Sequence, residues 1–238
     1  MARRPTIGEV LRSIAFYAVF YGATVFIVLM SVATLFLASE ERFRTVIHWW
    51  GRFHRWCVTR ILAIPVIIEG TPPPLGTLVA LKHEAFMEAI ELPQLMPLPV
   101  VFAKAELMRI PLWGLAGNRY GLVSVEREEG AAALRRMLSA ARRLGQGGRR
   151  LAIFPEGTRV RHGTRPPLQS GFAALYKLLG RPVIPVAVRS GPAYHHWIKR
   201  RVPIVVRYMD AIPAGLPRDE IEARVHAAIN ALNSDQPG

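Results

Sequence analysis

The chain is poor in cysteine, in lysine and in acids. Cys57 is the sole cysteine, so no intrachain disulfide can form and a reducing compartment is permitted. Lys82, Lys104, Lys177 and Lys199 are the only lysines, and 17 acidic residues face 31 basic ones. The net charge of +14 is therefore carried mainly by arginine, whose planar fork pairs with phosphate through two parallel bonds and tolerates partial burial. Such a balance points to phosphate-rich partners: lipid head groups, a nucleotide-bearing cofactor, nucleic acid or an acidic carrier protein. Internal repeats and low-complexity tracts are also missing, which excludes repeat architectures.

Charge is absent altogether between Ser13 and Ser39. Residues 14–37 form an apolar run broken only by Gly22, Thr24, Ser31 and Thr34. As a helix it exceeds the roughly 20 residues needed to cross a bilayer. Arg3 and Arg4 precede it as they would a signal peptide, but the run is too long for a signal core and no small-x-small cleavage site closes it. Arg12 before it and Arg42, Arg44, Arg52 and Arg55 after it leave its orientation open, so a span and a re-entrant hairpin both fit. The second limb of a hairpin would be residues 43–62, with Trp49, Trp50, Phe53 and Trp56 as interfacial aromatics. Residues 1–62 are read as a membrane-associating helical segment and residues 63–238 as a separate domain, so loss of residues 1–40 should harm activity on detergent-dispersed acceptor less than on acceptor in a bilayer.

A chain of 238 residues can bury a real core in that domain. Short apolar runs at 65–69, 77–81, 99–102, 121–125, 150–154, 183–188 and 204–208 read as strands, several of them covered on both faces. Helices are expected at 131–144, stopped by Gly145 and Gly147-Gly148, at 171–179, stopped by Gly180, and at 218–232, with Ile221, Val225, Ala228, Ile229 and Leu232 on one stripe. Alternation of strands and helices predicts an α/β domain with a mostly parallel or mixed sheet flanked by helices. The Thr71-Pro72-Pro73-Pro74 stretch is a break, and residues 234–238 a frayed tail.

Two constellations carry chemistry. His83 follows the second strand and Glu88 stands five positions on. On one continuous helix they would point about 140° apart. With His83 on the strand-to-helix turn and Glu88 in the first helical turn they can meet as a general base and the carboxylate that orients it. Phe154-Pro155-Glu156-Gly157-Thr158-Arg159 follows another apolar strand, where Pro and Gly force a tight turn. In α/β sheets ligands bind at that strand edge. The arginines Arg135, Arg136, Arg142 and Arg143 read as a solvated or lipid-facing helix side, and His195-His196-Trp197 as a loop rather than a metal site.

His83-x4-Glu88, Gly121-x5-Arg127, the 154–159 hexapeptide and Val183-Ile184-Pro185-Val186 stand in the order and spacing of the four motifs of the glycerolipid acyltransferases. The resemblance covers roughly residues 82–191 and is nearest the bacterial 1-acyl-sn-glycerol-3-phosphate acyltransferase group. It implies transfer of a fatty acyl group from an acyl carrier protein or coenzyme A thioester to the sn-2 hydroxyl of lysophosphatidic acid, or of another lysolipid such as a lyso-ornithine lipid. His83 would be the base and Glu88 its partner. Lys104, Arg127 and Arg159 would hold the acceptor phosphate in a pocket shaped by Glu156 and Gly157, and Pro185 would pack beside the donor or the base. The thioester is a co-substrate, and no metal or other cofactor is implied. The bacterial setting implies the cell inner membrane, an anionic surface, and an active site on the cytoplasmic side. Departures from the common pattern are Lys82 for Asn, Glu88 for Asp, Ser124 for a larger apolar residue, Gln169 for Lys and Arg189 for Asn. A nucleic-acid partner is not expected, because the strands are apolar rather than aromatic and basic. Intact His83, Glu88 and Arg159 argue against a catalytically dead lipid binder.

Overall fold

The structure, a computed structural model, describes residues 4–125 and 130–233. The apolar runs form strands β1 (Val66–Glu69), β2 (Leu78–Leu81), β3 (Val100–Lys104), β4 (Leu122–Val125), β5 (Leu151–Ile153), β6 (Val183–Arg189) and β7 (Ile204–Tyr208). They build one sheet in the order β1-β7-β6-β2-β5-β3-β4. Only the β6–β7 pair is antiparallel, so the sheet is mixed, as expected.

Every residue of β2 is fully buried, and its alternation decides which layer each meets. Leu78 and Ala80 face Met137, Ala141, Phe172, Tyr176 and Val225, which lie on α6 (Gly130–Leu144), α7 (Gly171–Leu179) and α9 (Arg218–Ile229). Val79 and Leu81 face Leu92 and Leu95 of α3 (Met87–Leu95). A strand apolar on both faces needs this double cover, and the cover places its C-terminal end in the centre of a protected edge. Pro185 lies inside β6, where a proline normally breaks a ladder. Pairing with the antiparallel partner runs from Val186↔Tyr208 to Arg189↔Val205, then resumes at Val183↔Ile212 one residue out of register. The missing donor of Pro185 thus falls in a bulge, at no cost to the ladder.

The N-terminal residues form a helical hairpin. Helix α1 (Ile7–Leu37) is 31 residues long, about 46 Å at 1.5 Å per residue. Thr6 and Glu9 start it with a reciprocal capping box. Ser39 caps the return helix α2 (Glu40–Trp56), which continues into a π-helical turn at Cys57–Ile61. One face of α1 is exposed and apolar, with Leu11, Ile14, Val25, Phe26 and Leu29 in solvent contact. The other joins the protein interior: Phe16 and Phe20 pack with Cys57, Val58, Leu62 and Ile64 on Met87 and Ile90 of α3. The polar breaks in the run have partners. Trp50 Nε1 donates to Thr24 Oγ1 at 3.2 Å, and Ser31 and Thr34 bond back to carbonyls of their own helix; Ser13, just before the run, accepts through Oγ from Lys199 N–H at 2.9 Å.

This shared core revises the expectation that activity in detergent suffers less from loss of residues 1–40. Deletion would uncover the side chains around Met87 and Ile90, and loss of two buried phenylalanines alone costs on the order of 3–5 kcal/mol each. The truncated chain should aggregate or unfold, and its activity on detergent-dispersed acceptor should fall together with its thermal transition.

The described residues also include the short helices α4 (Ala105–Met108), α5 (Trp113–Tyr120) and α8 (Gly191–Tyr194) and a 3-10 turn at Gln146–Gly148. Arg119 of α5 donates to the carbonyls of Leu35 and Ala38, which satisfies the open end of α1 and fixes the hairpin tip beside the sheet.

Candidate active site

The chain leaves β2 through Lys82, whose N–H still bonds the Val186 carbonyl at 3.0 Å, and turns at His83. Helix α3 begins at Met87, so Glu88 stands in its first turn, as the spacing predicts. His83 Nδ1 lies 2.9 Å from Glu88 Oε2. A carboxylate can only accept, so Nδ1 carries the proton, and in the neutral imidazole the lone pair stands on Nε2. The imidazole stacks on Phe154, the first residue of the hexapeptide, with ring centroids 4.1 Å apart. The Glu88 side chain is 1% exposed and that of His83 16%, so the pair has one accessible end, the histidine. Glu88 Oε2 also accepts from Ala85 N–H at 2.9 Å, and Oε1 accepts from the Ser190 hydroxyl.

The hexapeptide turns where Gly157 adopts φ +71°, a conformation that costs glycine least, and Gly157 N–H donates to the Phe154 carbonyl at 2.9 Å. The turn sends Glu156 inward. Its carboxylate is buried, accepts from Lys82 Nζ at 2.5 Å and from His83 N–H at 3.3 Å. Burial pushes the Glu156 carboxyl above the usual range, and the bond and charge of Lys82 pull it back. Lys82 Nζ has two further acceptors, Asn230 Oδ1 at 2.7 Å and the Thr164 carbonyl at 3.1 Å, which use its three protons. Lys82, the departure from the family's usual Asn, therefore ties the ends of β2 and β5 to α9.

Arg159 and Thr158 are exposed, and the next residue, Val160, donates to the His83 carbonyl at 2.8 Å, so the backbone of Arg159 runs beside His83. Lys104 is exposed at the end of β3, on the same edge of the sheet. Arg127 lies outside the described residues. Pro185 is buried within β6 in register with Ala80, three residues before His83. Residues 135, 136, 142 and 143 of α6 are exposed, as expected. A cavity of about 430 Å³ opens at the far edge between β4 and α6, lined by Ser124, Arg136 and Arg143, and contains none of the residues around His83.

Sequence reasoning missed three polar residues of the site. Glu84, fully buried, accepts from His162 Nδ1 at 2.9 Å and from the N–H groups of Ser190 and Gly191 at 3.0 and 2.8 Å. It also missed a third histidine–carboxylate pair, buried on both sides, one helical turn beyond Glu88. His54 of α2 holds Glu91 through Nδ1 at 2.7 Å and the Tyr194 hydroxyl through Nε2 at 2.8 Å. No spacing in the sequence links these residues. Among the described residues no group of three or more metal-binding side chains occurs, and His195 Nδ1 donates instead to the Glu84 carbonyl.

The Glu88 geometry sets an expected order of variants. Glu88→Gln keeps the shape but removes the charge that favours an imidazolium, and should lose about 10²-fold or more in kcat. Glu88→Asp keeps the charge on a stem one methylene shorter, and should retain more activity. Equal kcat values in the two variants would remove the electrostatic role of Glu88.

The acyltransferase family's sequence pattern matches residues 59–189, more than half of the chain. A 1-acyl-sn-glycerol-3-phosphate acyltransferase of Pseudomonas aeruginosa is 27% identical over 198 residues, which cover 80% of this chain and 74% of that protein. One from Limnanthes douglasii is 30% identical over 64% of this chain, which spans only 56% of the plant protein. The fold resembles the 1-acyl-sn-glycerophosphate (LPA) acyltransferase PlsC of Thermotoga maritima, with a TM-score of 0.74 over 95% of this chain and 97% of that one, at 20% identity. With the motif residues His83, Glu88 and Phe154–Arg159 gathered on one sheet edge in this way, the chain belongs to the acyltransferase family.

Proposed function

We propose that this acyltransferase moves a fatty acyl group from a thioester to the sn-2 hydroxyl of lysophosphatidic acid, giving phosphatidic acid. The observation that carries the reading is the His83–Glu88 pair, open only at Nε2 and bordered by the Arg159 turn. Nε2 takes the hydroxyl proton as the oxygen attacks the thioester carbonyl carbon. The tetrahedral intermediate then collapses, the C–S bond breaks, and the imidazolium returns the proton to the leaving thiolate. Glu88 stabilises the imidazolium between these steps. Acyl carrier protein and coenzyme A both supply such a thioester. Arg159, Lys104 and Arg127 are assigned to the acceptor phosphate, with Gly157 giving the turn its shape and Pro185 packing behind the base.

The acceptor is a membrane lipid, and the exposed face of α1 suits entry into one leaflet of an anionic bilayer, which we place at the cytoplasmic side of the inner membrane. Ile110, Leu112, Trp113 and Leu115 are also exposed, on and before α5, whose Arg119 holds the hairpin tip, and they suit the same apolar environment.

The test is incubation of the full chain in detergent with labelled acyl-coenzyme A or acyl carrier protein and a panel of lysolipids, followed by lipid analysis. Phosphatidic acid as the main product is expected; preferred acylation of a lyso-ornithine lipid or a lysophospholipid would move the acceptor. Arg159→Lys keeps the charge but loses the fork, and should raise the apparent KM for lysophosphatidic acid about tenfold. With monoacylglycerol, which lacks the phosphate, the two proteins should behave alike. A defect confined to the acyl donor would cancel the phosphate assignment.

A further inference from the structure

A histidine that takes a proton needs its carboxylate held in one plane. Glu88 can rotate about its terminal torsion, and such sp³–sp² torsions are broad. Two bonds reach Oε2, from His83 Nδ1 and from Ala85 N–H. The free oxygen, Oε1, is met by the Ser190 hydroxyl, on a residue 102 positions away that is fully buried. Ser190 itself is fixed. Its N–H and that of Gly191 both donate to Glu84 Oε2, and its carbonyl accepts from Ala193 and Tyr194 at 3.1 and 2.8 Å. Glu84 is held in turn by His162. A Cβ on Gly191 would lie 3.0 Å from Glu84 Oε2 and 3.2 Å from His162 Cβ, so a side chain here would press on both neighbours. The Ser190–Gly191 pair thus sits between two buried carboxylates, one serving the base and one serving the serine.

Resting on the reading of His83 as the base, we infer that Ser190 is a positioning residue of the reaction, and that Glu84 exists at this edge to hold it. Ser190 locks the Glu88 carboxylate so that Oε2 faces His83 Nδ1 and Nε2 points to the acceptor. It touches no substrate, so its loss acts on kcat and leaves substrate binding alone.

The test uses the full chain in detergent with lysophosphatidic acid and acyl-coenzyme A. Ser190→Ala should lower kcat about tenfold, the scale of one hydrogen bond to a charged group, with both KM values within about twofold of the parent. Ser190→Thr keeps the hydroxyl and should recover most of the loss. A second reading needs no substrate: the Nδ1 proton of His83, seen by NMR as a downfield resonance, should broaden in Ser190→Ala and persist in Ser190→Thr. If Ser190→Ala fails to fold, Ser190→Cys, with a weak donor of similar shape, should give an intermediate kcat. A parent-like kcat in Ser190→Ala or Ser190→Cys, or a loss carried by KM, overturns the inference. His83→Ala, assayed in parallel, separates the two ideas: an inactive His83→Ala beside a normal Ser190→Ala sinks only the serine's role, whereas an active His83→Ala sinks the general-base reading itself.

Discussion

His83→Ala is expected to lower kcat/KM by about 10²–10⁴-fold while the thermal transition stays close to that of the parent. The size follows from geometry. An uncatalysed hydroxyl is a poor nucleophile, and in the proposed mechanism the Nε2 lone pair removes its proton. That lone pair exists because Glu88 accepts from Nδ1 at 2.9 Å and so settles the tautomer. Stability should change little because the imidazole lies at the rim, 16% exposed, with one face on Phe154. Alanine leaves Glu88 with the bonds from Ala85 and Ser190, so no buried carboxylate is stranded. Steady-state assays on lysophosphatidic acid and a melt of the same preparation decide it. A folded His83→Ala protein with near-parent turnover would end the mechanism proposed here.

Lys82→Met should have the opposite profile, a large loss of stability. Both Lys82 and Glu156 have fully buried side chains. Removing one partner of a buried pair strands the other charge, which costs about 3–5 kcal/mol. At roughly 2–4 °C per kcal/mol for a chain of this size, the melting temperature should drop by about 10 °C. The double variant Lys82→Met with Glu156→Gln removes both charges and should regain much of the loss. Acidification supplies a further check on sign. Burial raises the Glu156 carboxyl, and loss of Lys82 takes away the main opposing influence. A group with a raised folded-state pKa contributes stability below its unfolded value and loses it as pH rises through the folded one. The deficit of Lys82→Met should therefore shrink as pH falls toward the carboxylate range. A deficit that grows on acidification would show that the stranded charge is not Glu156.

Much of this architecture was legible in the sequence. The seven strands fall within a residue or two of the apolar runs, because a strand covered on both faces must be apolar over consecutive positions. Helix α7 ends at Gly180, which adopts the left-handed conformation, and α6 stops just before Gly145. The His83–Glu88 pair was legible because its geometry is local: five residues, one turn, one helix start. What only the tertiary structure decided are the polar contacts between distant segments. Glu156 is the partner of Lys82, 74 positions away. Glu84 reaches Ser190 across 106 positions, and His54 reaches Tyr194 across 140. The apolar run of α1 signalled a membrane and gave no hint that Phe16 and Phe20 turn the other way, into the core beneath the base. Periodicity and turn residues are set by neighbours along the chain, since they express the preferences of a single element. A buried charge finds its partner by whatever the crossovers bring to the same edge of the sheet, and that pairing has no period and no fixed spacing to read.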